Sequence, residues 1–175
     1  MAILPIVRYP HDVLLEPTKE VGGITSDLER LVRDMIETMH AAPGVGLAAN
    51  QVGVARRVAV VDLSVGEDPS KLLVLINPRI VENAGSYLDE EGCLSLPGFT
   101  EQVRRPERCV IEAMDLQGKV RTIEGRDLLA RAFNHELDHL DGHLFIERLS
   151  VLKRRLIKKK VQKQIRSGDW QLVPG

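Results

Sequence analysis

Hydrophobic positions change their spacing along this chain, and each change marks an element. Leu28, Leu31, Val32, Met35, Ile36 and Met39 recur at helical spacing behind Ser26-Asp27-Leu28-Glu29, a capping box, and Pro43-Gly44 end the run. That stripe predicts a helix buried on one side, with no chemistry of its own. Val58 to Leu63 and Leu72 to Ile76 are short apolar runs rich in β-branched residues, interrupted by Gly66-Glu67-Asp68-Pro69, and read as paired strands. Arg108 to Met114 and Lys119 to Glu124 flank Asp115-Leu116-Gln117-Gly118, a hairpin turn. Asp127 opens a second helix in which Leu129, Phe133, Leu137 and Leu140 form the apolar stripe, with His135 and His139 beside it. A third helix spans Val151 to Arg166, with Leu152, Leu156, Ile157, Val161 and Ile165 assigned to one side and lysines and arginines to the rest. The pattern is α+β in blocks, without repeats or low-complexity tracts.

Composition narrows this to one small domain. The 175 residues are 43% hydrophobic, enough for a single core. The net charge of −1 hides an asymmetry: residues 1–150 carry −8 and residues 151–175 carry +7. A basic helix of this kind is either a solvated surface or a docking element. The two cysteines, Cys93 and Cys109, the absence of a leader rich in arginine and serine, and the absence of an apolar run long enough to span a bilayer predict a reducing compartment, the cytoplasm, and no membrane. Cys109 lies in a strand-like run and reads as core.

The chemistry is concentrated in His135-Glu136-Leu137-Asp138-His139. On a helix, histidines four residues apart lie on one face and can grip one metal ion, while the intervening glutamate can work on a metal-bound water. The pentapeptide predicts a metal-dependent hydrolase but lacks a third protein ligand. The extended metalloprotease motif would place a histidine at position 145, which is Phe145; His143 falls two residues early, and Glu147 is too near for a return from a second helix. Cys93, in Glu91-Gly92-Cys93-Leu94-Ser95, is the stronger candidate, although a lone cysteine is ordinarily a small buried hydrophobe. Asp138 should point away from the metal, toward structural hydrogen bonds. His11, His40 and His143 stand outside any ligand spacing and read as ordinary polar residues.

A further segment, Gly44-Val45-Gly46-Leu47-Ala48-Ala49-Asn50-Gln51, reads by itself as a turn leading into a strand, and lacks the ending of a phosphate loop. In this order the three segments resemble the peptide deformylase motifs GxGLAAxQ, EGCLS and HExDH, all matched without a gap. The resemblance extends to Val7-Arg8-Tyr9-Pro10 and Asp141-Gly142, so it covers most of residues 1–150.

The resemblance implies antiparallel strands wrapped around a central metal-binding helix, with residues 1–150 as the catalytic region and the basic carboxy-terminal helix, 151–175, part of the same domain. It implies that Cys93, His135 and His139 bind one metal ion, that Glu136 is the general acid and base, and that Gln51 and the Leu94 N–H orient the formyl oxygen. Val45 and Gly46 would line the peptide groove. The implied substrate is the N-formylmethionyl nascent peptide, hydrolysed to release formate. The implied ion is ferrous iron, with zinc, nickel or cobalt as replacements, and a sulfur with two nitrogens suits all four. A monomer is expected, with the basic helix docking on the ribosome, whose RNA would attract such charge. The residue three before His135, a second cysteine in some deformylases, is Ala132, preceded by Arg131, and the Gly98 to Arg105 segment varies within the family. Two other classes compete. A metalloprotease would share the helix but leave Cys93 and Gln51 unexplained, and a non-catalytic RNA-binding protein would rest on the tail alone.

Overall fold

The computed structural model describes residues 2–175. Its first helix, α1 (Ser26–Ala41), is capped by Thr25 and not from Ser26: Thr25 is extended, so its Oγ1 can accept the Leu28 N–H. The strands that follow are β1 (Gly46–Ala48), β2 (Val58–Val61), β3 (Leu73–Ala84), β4 (Tyr87–Gly92), β5 (Thr100–Arg105), β6 (Arg108–Met114) and β7 (Val120–Arg126). Helices α2 (Leu128–Leu140) and α3 (Val151–Ser167) complete the chain. The larger sheet has the order β1-β2-β3-β6-β7, antiparallel throughout, and β4-β5 form a separate antiparallel ribbon.

The expected pairing of the two apolar runs is present, with Val58 opposite Ile76. The second run continues as β3 to Ala84, past its apolar part, because β6 supplies a hydrogen-bonding partner along that length, with bulges between Ile76 and Arg79 and between Ile80 and Glu82. The β6-β7 hairpin closes as read, with the Gly118 N–H donating to Asp115 O.

Strand β2 is apolar at every position because it is covered on both faces. Val58 and Val60 face α1 together with Leu28, Val32, Met35 and Met39. Ala59 and Val61 face α2 together with Phe133, Leu137 and Leu140. Helix α2 is therefore central, as expected, and is inaccessible on nearly every side. Cys109 sits in the same layer, and burial pushes its thiol up to about 11, which keeps it protonated and inert.

A third cluster joins Val7, Leu96 and Phe145 to Ile157 and Val161 of α3, and Trp170 closes it by donating from Nε1 to Tyr9 O at 2.8 Å. Here the sequence expectation needs correction. Leu152 and Leu156 do not share the buried side of α3; they are 69% and 48% exposed. At about 100° per residue, Leu152 lies about 180° from Val161, so the five apolar positions never formed one face.

Candidate active site

The site lies where the central helix meets the end of the β4-β5 ribbon. Regular helix geometry carries His135 and His139 on successive turns, their rings 4.9 Å apart. Strand β4 ends at Gly92, which delivers Cys93 opposite them. One ligating atom each from Cys93, His135 and His139 fall within 4.8 Å of one another. The Cys93 sulfur lies 3.2 Å from His139 Nε2 and accepts the Ser95 N–H at 3.4 Å. Burial, with His135 alongside, lowers the pKa of His139 well below the ordinary histidine value, and a neutral imidazole is what a metal requires. At His135 burial opposes the cation, but Cys93 and Glu91 outweigh it and raise the pKa. A thiolate and two imidazoles converging in this way fit a borderline-soft divalent ion.

The competing third ligands are placed elsewhere. Phe145 is wholly buried in the third cluster, and His143 pairs with Glu147 at 2.8 Å on the surface. His11 caps a short turn through the Val13 N–H, and His40 bonds Asp62 at 2.8 Å, so both are local polar residues as read.

Glu136 is buried beside this cluster against Gly46. A Cβ at Gly46 would run into the Glu136 carboxylate, so the glycine leaves that carboxylate its present place. Glu136 Oε1 has no partner among the described residues, and burial raises the carboxyl to about 7. Gln51 follows β1 in a 3₁₀ turn. Its Oε1 accepts the Ala48 N–H at 3.0 Å, which turns Nε2 toward Ser95 Oγ at 3.1 Å and the Cys93 sulfur at 3.7 Å. The Leu94 N–H has no acceptor among the described residues. Cys93, His135, Glu136, Gln51 and Leu94 border a groove of about 520 Å³, with Val45 and Gly46 on one side and Gly98, Phe99 and Thr100 on the other; Ala132 and Arg131 form part of its wall.

Behind the candidate ligands lies a polar frame that no sequence motif announces. Glu91 Oε2 accepts the His135 Nδ1–H at 2.7 Å, which leaves Nε2 for the metal position. Arg105 grips Glu91 with two bonds, of 3.0 and 2.6 Å, and reaches Asp138 at 2.6 Å; Arg148 also clamps Asp138, at 2.7 Å. Burial works against the Glu91 carboxylate, but the Arg105 and His135 donors outweigh it and hold the group well below the usual carboxylate range. Asp138 thus faces away from the ligands into structural bonds, as read. Asn50 Nδ2 donates to His139 O at 2.5 Å and ties the Gln51 turn to the helix. The available signals were position ones: Glu91 opens the cysteine motif and Asn50 precedes Gln51, but nothing nearby names their partners.

Comparison with known proteins agrees with this geometry. The family model described as polypeptide deformylase matches residues 3–155. A peptide deformylase of Acidobacterium capsulatum is 48% identical over 97% of this chain and 100% of its own. One of Thermodesulfovibrio yellowstonii is 52% identical over 91% and 97% respectively. Among solved structures, a peptide deformylase from Legionella pneumophila superposes with a TM-score of 0.89 at 39% identity, covering 97% of this chain and 99% of that one. A complex of the Ehrlichia chaffeensis peptide deformylase with actinonin gives 0.86 at 37% identity, covering 95% and 99%.

Proposed function

The chain belongs to the peptide deformylase family, and on that premise we propose that Cys93, His135 and His139 hold its metal ion, with Glu136, Gln51 and the Leu94 N–H as the reacting groups. The protein is a metal-dependent hydrolase that removes the N-terminal formyl group from formyl-methionine of newly made polypeptides and releases formate. The observation that carries the residue assignment is the convergence of three ligating atoms within 4.8 Å at one end of a groove that Glu136 and Gln51 also border.

The ion supplies Lewis acidity toward the formyl oxygen and toward water. The chain's own residues do the rest. Val45, Gly46 and Leu94 flank the peptide and bring its formyl carbon to the cluster. Glu136 takes the proton from the attacking water and returns it to the departing amine nitrogen, a double duty that suits a carboxyl raised to about 7. The Gln51 side-chain amide and the Leu94 N–H donate to the oxygen as charge develops on it. Glu91 keeps the His135 proton on Nδ1 throughout.

Ferrous iron is the proposed ion, one per chain, with zinc, nickel or cobalt as replacements; the sulfur and nitrogen donors accept all four. We place the enzyme, proposed to be a monomer, in the cytoplasm, where nascent chains are made and Cys93 stays reduced. Residues 1–150 and 151–175 are proposed to fold as one unit, supported by the cluster that Ile157 and Val161 share with Val7, Leu96 and Phe145. The exposed lysines of α3, of which only Lys153 takes part in an ion pair among the described residues, support docking on ribosomal RNA.

The test is formate release from a formyl-methionyl peptide by protein prepared without oxygen and loaded with ferrous iron, with Glu136→Ala as control. Release by the parent alone is expected. No release from parent protein carrying one ion would refute the assignment.

A further inference from the structure

The ligands come from two separate elements: α2 carries both histidines, and the β4-β5 ribbon leads into Cys93. Something must fix the distance between them, because a thiolate displaced by an ångström no longer shares an ion with the imidazoles. Arg131 bridges that gap. It sits one turn before His135 on the same face of α2. Tyr87 and Glu91 point to one face of β4 by strand alternation. The Arg131 Nη1–H donates to Glu91 Oε1 at 2.9 Å and to Val103 O at 2.9 Å, and Nη2 approaches Tyr87 O at 3.4 Å. Its guanidinium carbon lies 4.7 Å from the centre of the Tyr87 ring. One side chain thus ties the helix to both strands of the ribbon.

Charge balance does not require this arginine. Glu91 already has a bidentate partner in Arg105, and Asp138 is matched by Arg105 and Arg148. Arg131 is only 3% exposed, and a buried cation beyond what its counter-ions need is a net cost that an apolar side chain of similar volume would avoid. Its burial there calls for something other than neutralisation. With the metal assignment above as its basis, we propose that Arg131 is a positioning residue. It sets the spacing between the Cys93 ribbon and the histidine helix, and steadies Glu91 so that the His135 Nδ1–H stays engaged and Nε2 stays turned toward the ion. Arg131 is also part of the groove wall beside Ala132, so the same contacts fix that wall relative to the ribbon.

The experiment compares the full chain with Arg131→Met and Arg131→Lys, each loaded with cobalt. The readouts are the rate of cobalt loss to a chelator, the cobalt absorption spectrum, the thermal midpoint of the metal-free protein, and kcat and KM for a formyl-methionyl peptide. Arg131→Met is expected to lose cobalt roughly 10- to 100-fold faster, with altered cobalt bands and a lower kcat at little changed KM. Arg131→Lys should fall between, since one ammonium cannot serve Glu91, Val103 O and the Tyr87 face together. If Arg131→Met does not fold, Arg131→Lys carries the same readouts. Parental cobalt spectra and loss rates in the folded variants, even with a lowered thermal midpoint, would make Arg131 a packing residue and overturn the proposal. A parent that binds no cobalt or releases no formate would instead overturn the metal assignment on which it rests.

Discussion

Helices α2 and α3 both carry several ionisable side chains, but they turn them in opposite directions. In α2, Arg131, His135, Glu136 and His139 face inward and are nearly inaccessible. In α3, Arg155, Lys158, Lys159, Lys160, Lys163 and Arg166 face solvent, and only Ile157 and Val161 are buried. An inward charge must be matched by partners or used, because burying it alone is unfavourable. An outward charge costs almost nothing and constrains almost nothing. The difference teaches where substitutions should matter: along α2 a single atom should change the reaction, along α3 only the sum of charges should.

The sharpest test of the inward set is Glu136→Ala. It should cut formate release by on the order of 10²- to 10⁴-fold while the bound metal stays at the parental level, since the three proposed ligands are untouched. Loss of metal together with activity would mean that Glu136 holds the site together instead of moving a proton. Next comes Gln51→Leu, which removes one proposed donor to the formyl oxygen. It should lower kcat roughly 100- to 1000-fold, with a much smaller change in KM. A near-parental kcat in that variant would take Gln51 out of the reaction.

The inward set also makes stability depend on pH. In the folded metal-free protein Glu136 titrates at about 7, pushed up first by burial, whereas in the unfolded chain it titrates near the ordinary carboxylate value. A raised folded pKa favours folding fully below the unfolded value, and the benefit is lost as pH rises through about 7. Metal-free parent protein should therefore weaken relative to Glu136→Gln between roughly pH 4.5 and 7, by up to about 3 kcal/mol. Glu91 has the opposite sign. Its folded pKa is depressed, so its contribution is present above the unfolded value and fades as pH falls below it. Urea unfolding of metal-free parent and Glu136→Gln across this range checks the first claim; parallel curves would show that burial does not control this carboxyl.

The same contrast explains what could be read from sequence. His135, Glu136 and His139 were legible because a helix fixes their relative positions within five residues, and Cys93 and Gln51 because their motifs matched a family. The helices and hairpin were legible from period and turn residues alone. Arg131, Arg105 and Glu91 were not assigned roles, because their meaning lies in each other: Glu91 and Arg131 are 40 positions apart, and only the fold brings them to 2.9 Å. Helix α3 is legible as a helix, but its buried face is not. Leu152 and Leu156 satisfy a local apolar pattern while the packed stripe runs through Ile157 and Val161. Nothing in those residues says which side meets Leu96 and Phe145.

The smallest effects belong to the outward set, and they test its proposed role most cleanly. Lys159 and Lys163 are exposed and one turn apart on the face that carries Leu152 and Leu156, and neither takes part in an ion pair among the described residues. Replacing both with glutamate changes the local charge by four units without touching the buried stripe, so the thermal midpoint should shift by no more than about 0.5 kcal/mol equivalent. Attraction to a phosphate-rich surface, by contrast, depends on the number of cations and falls steeply with salt. If α3 docks the enzyme on ribosomal RNA, the double variant should co-sediment with ribosomes less than the parent at low salt, and the two should converge as salt rises. Equal co-sedimentation at every salt concentration would show that this basic face is only a solvated surface, as a helix with so little buried area can be.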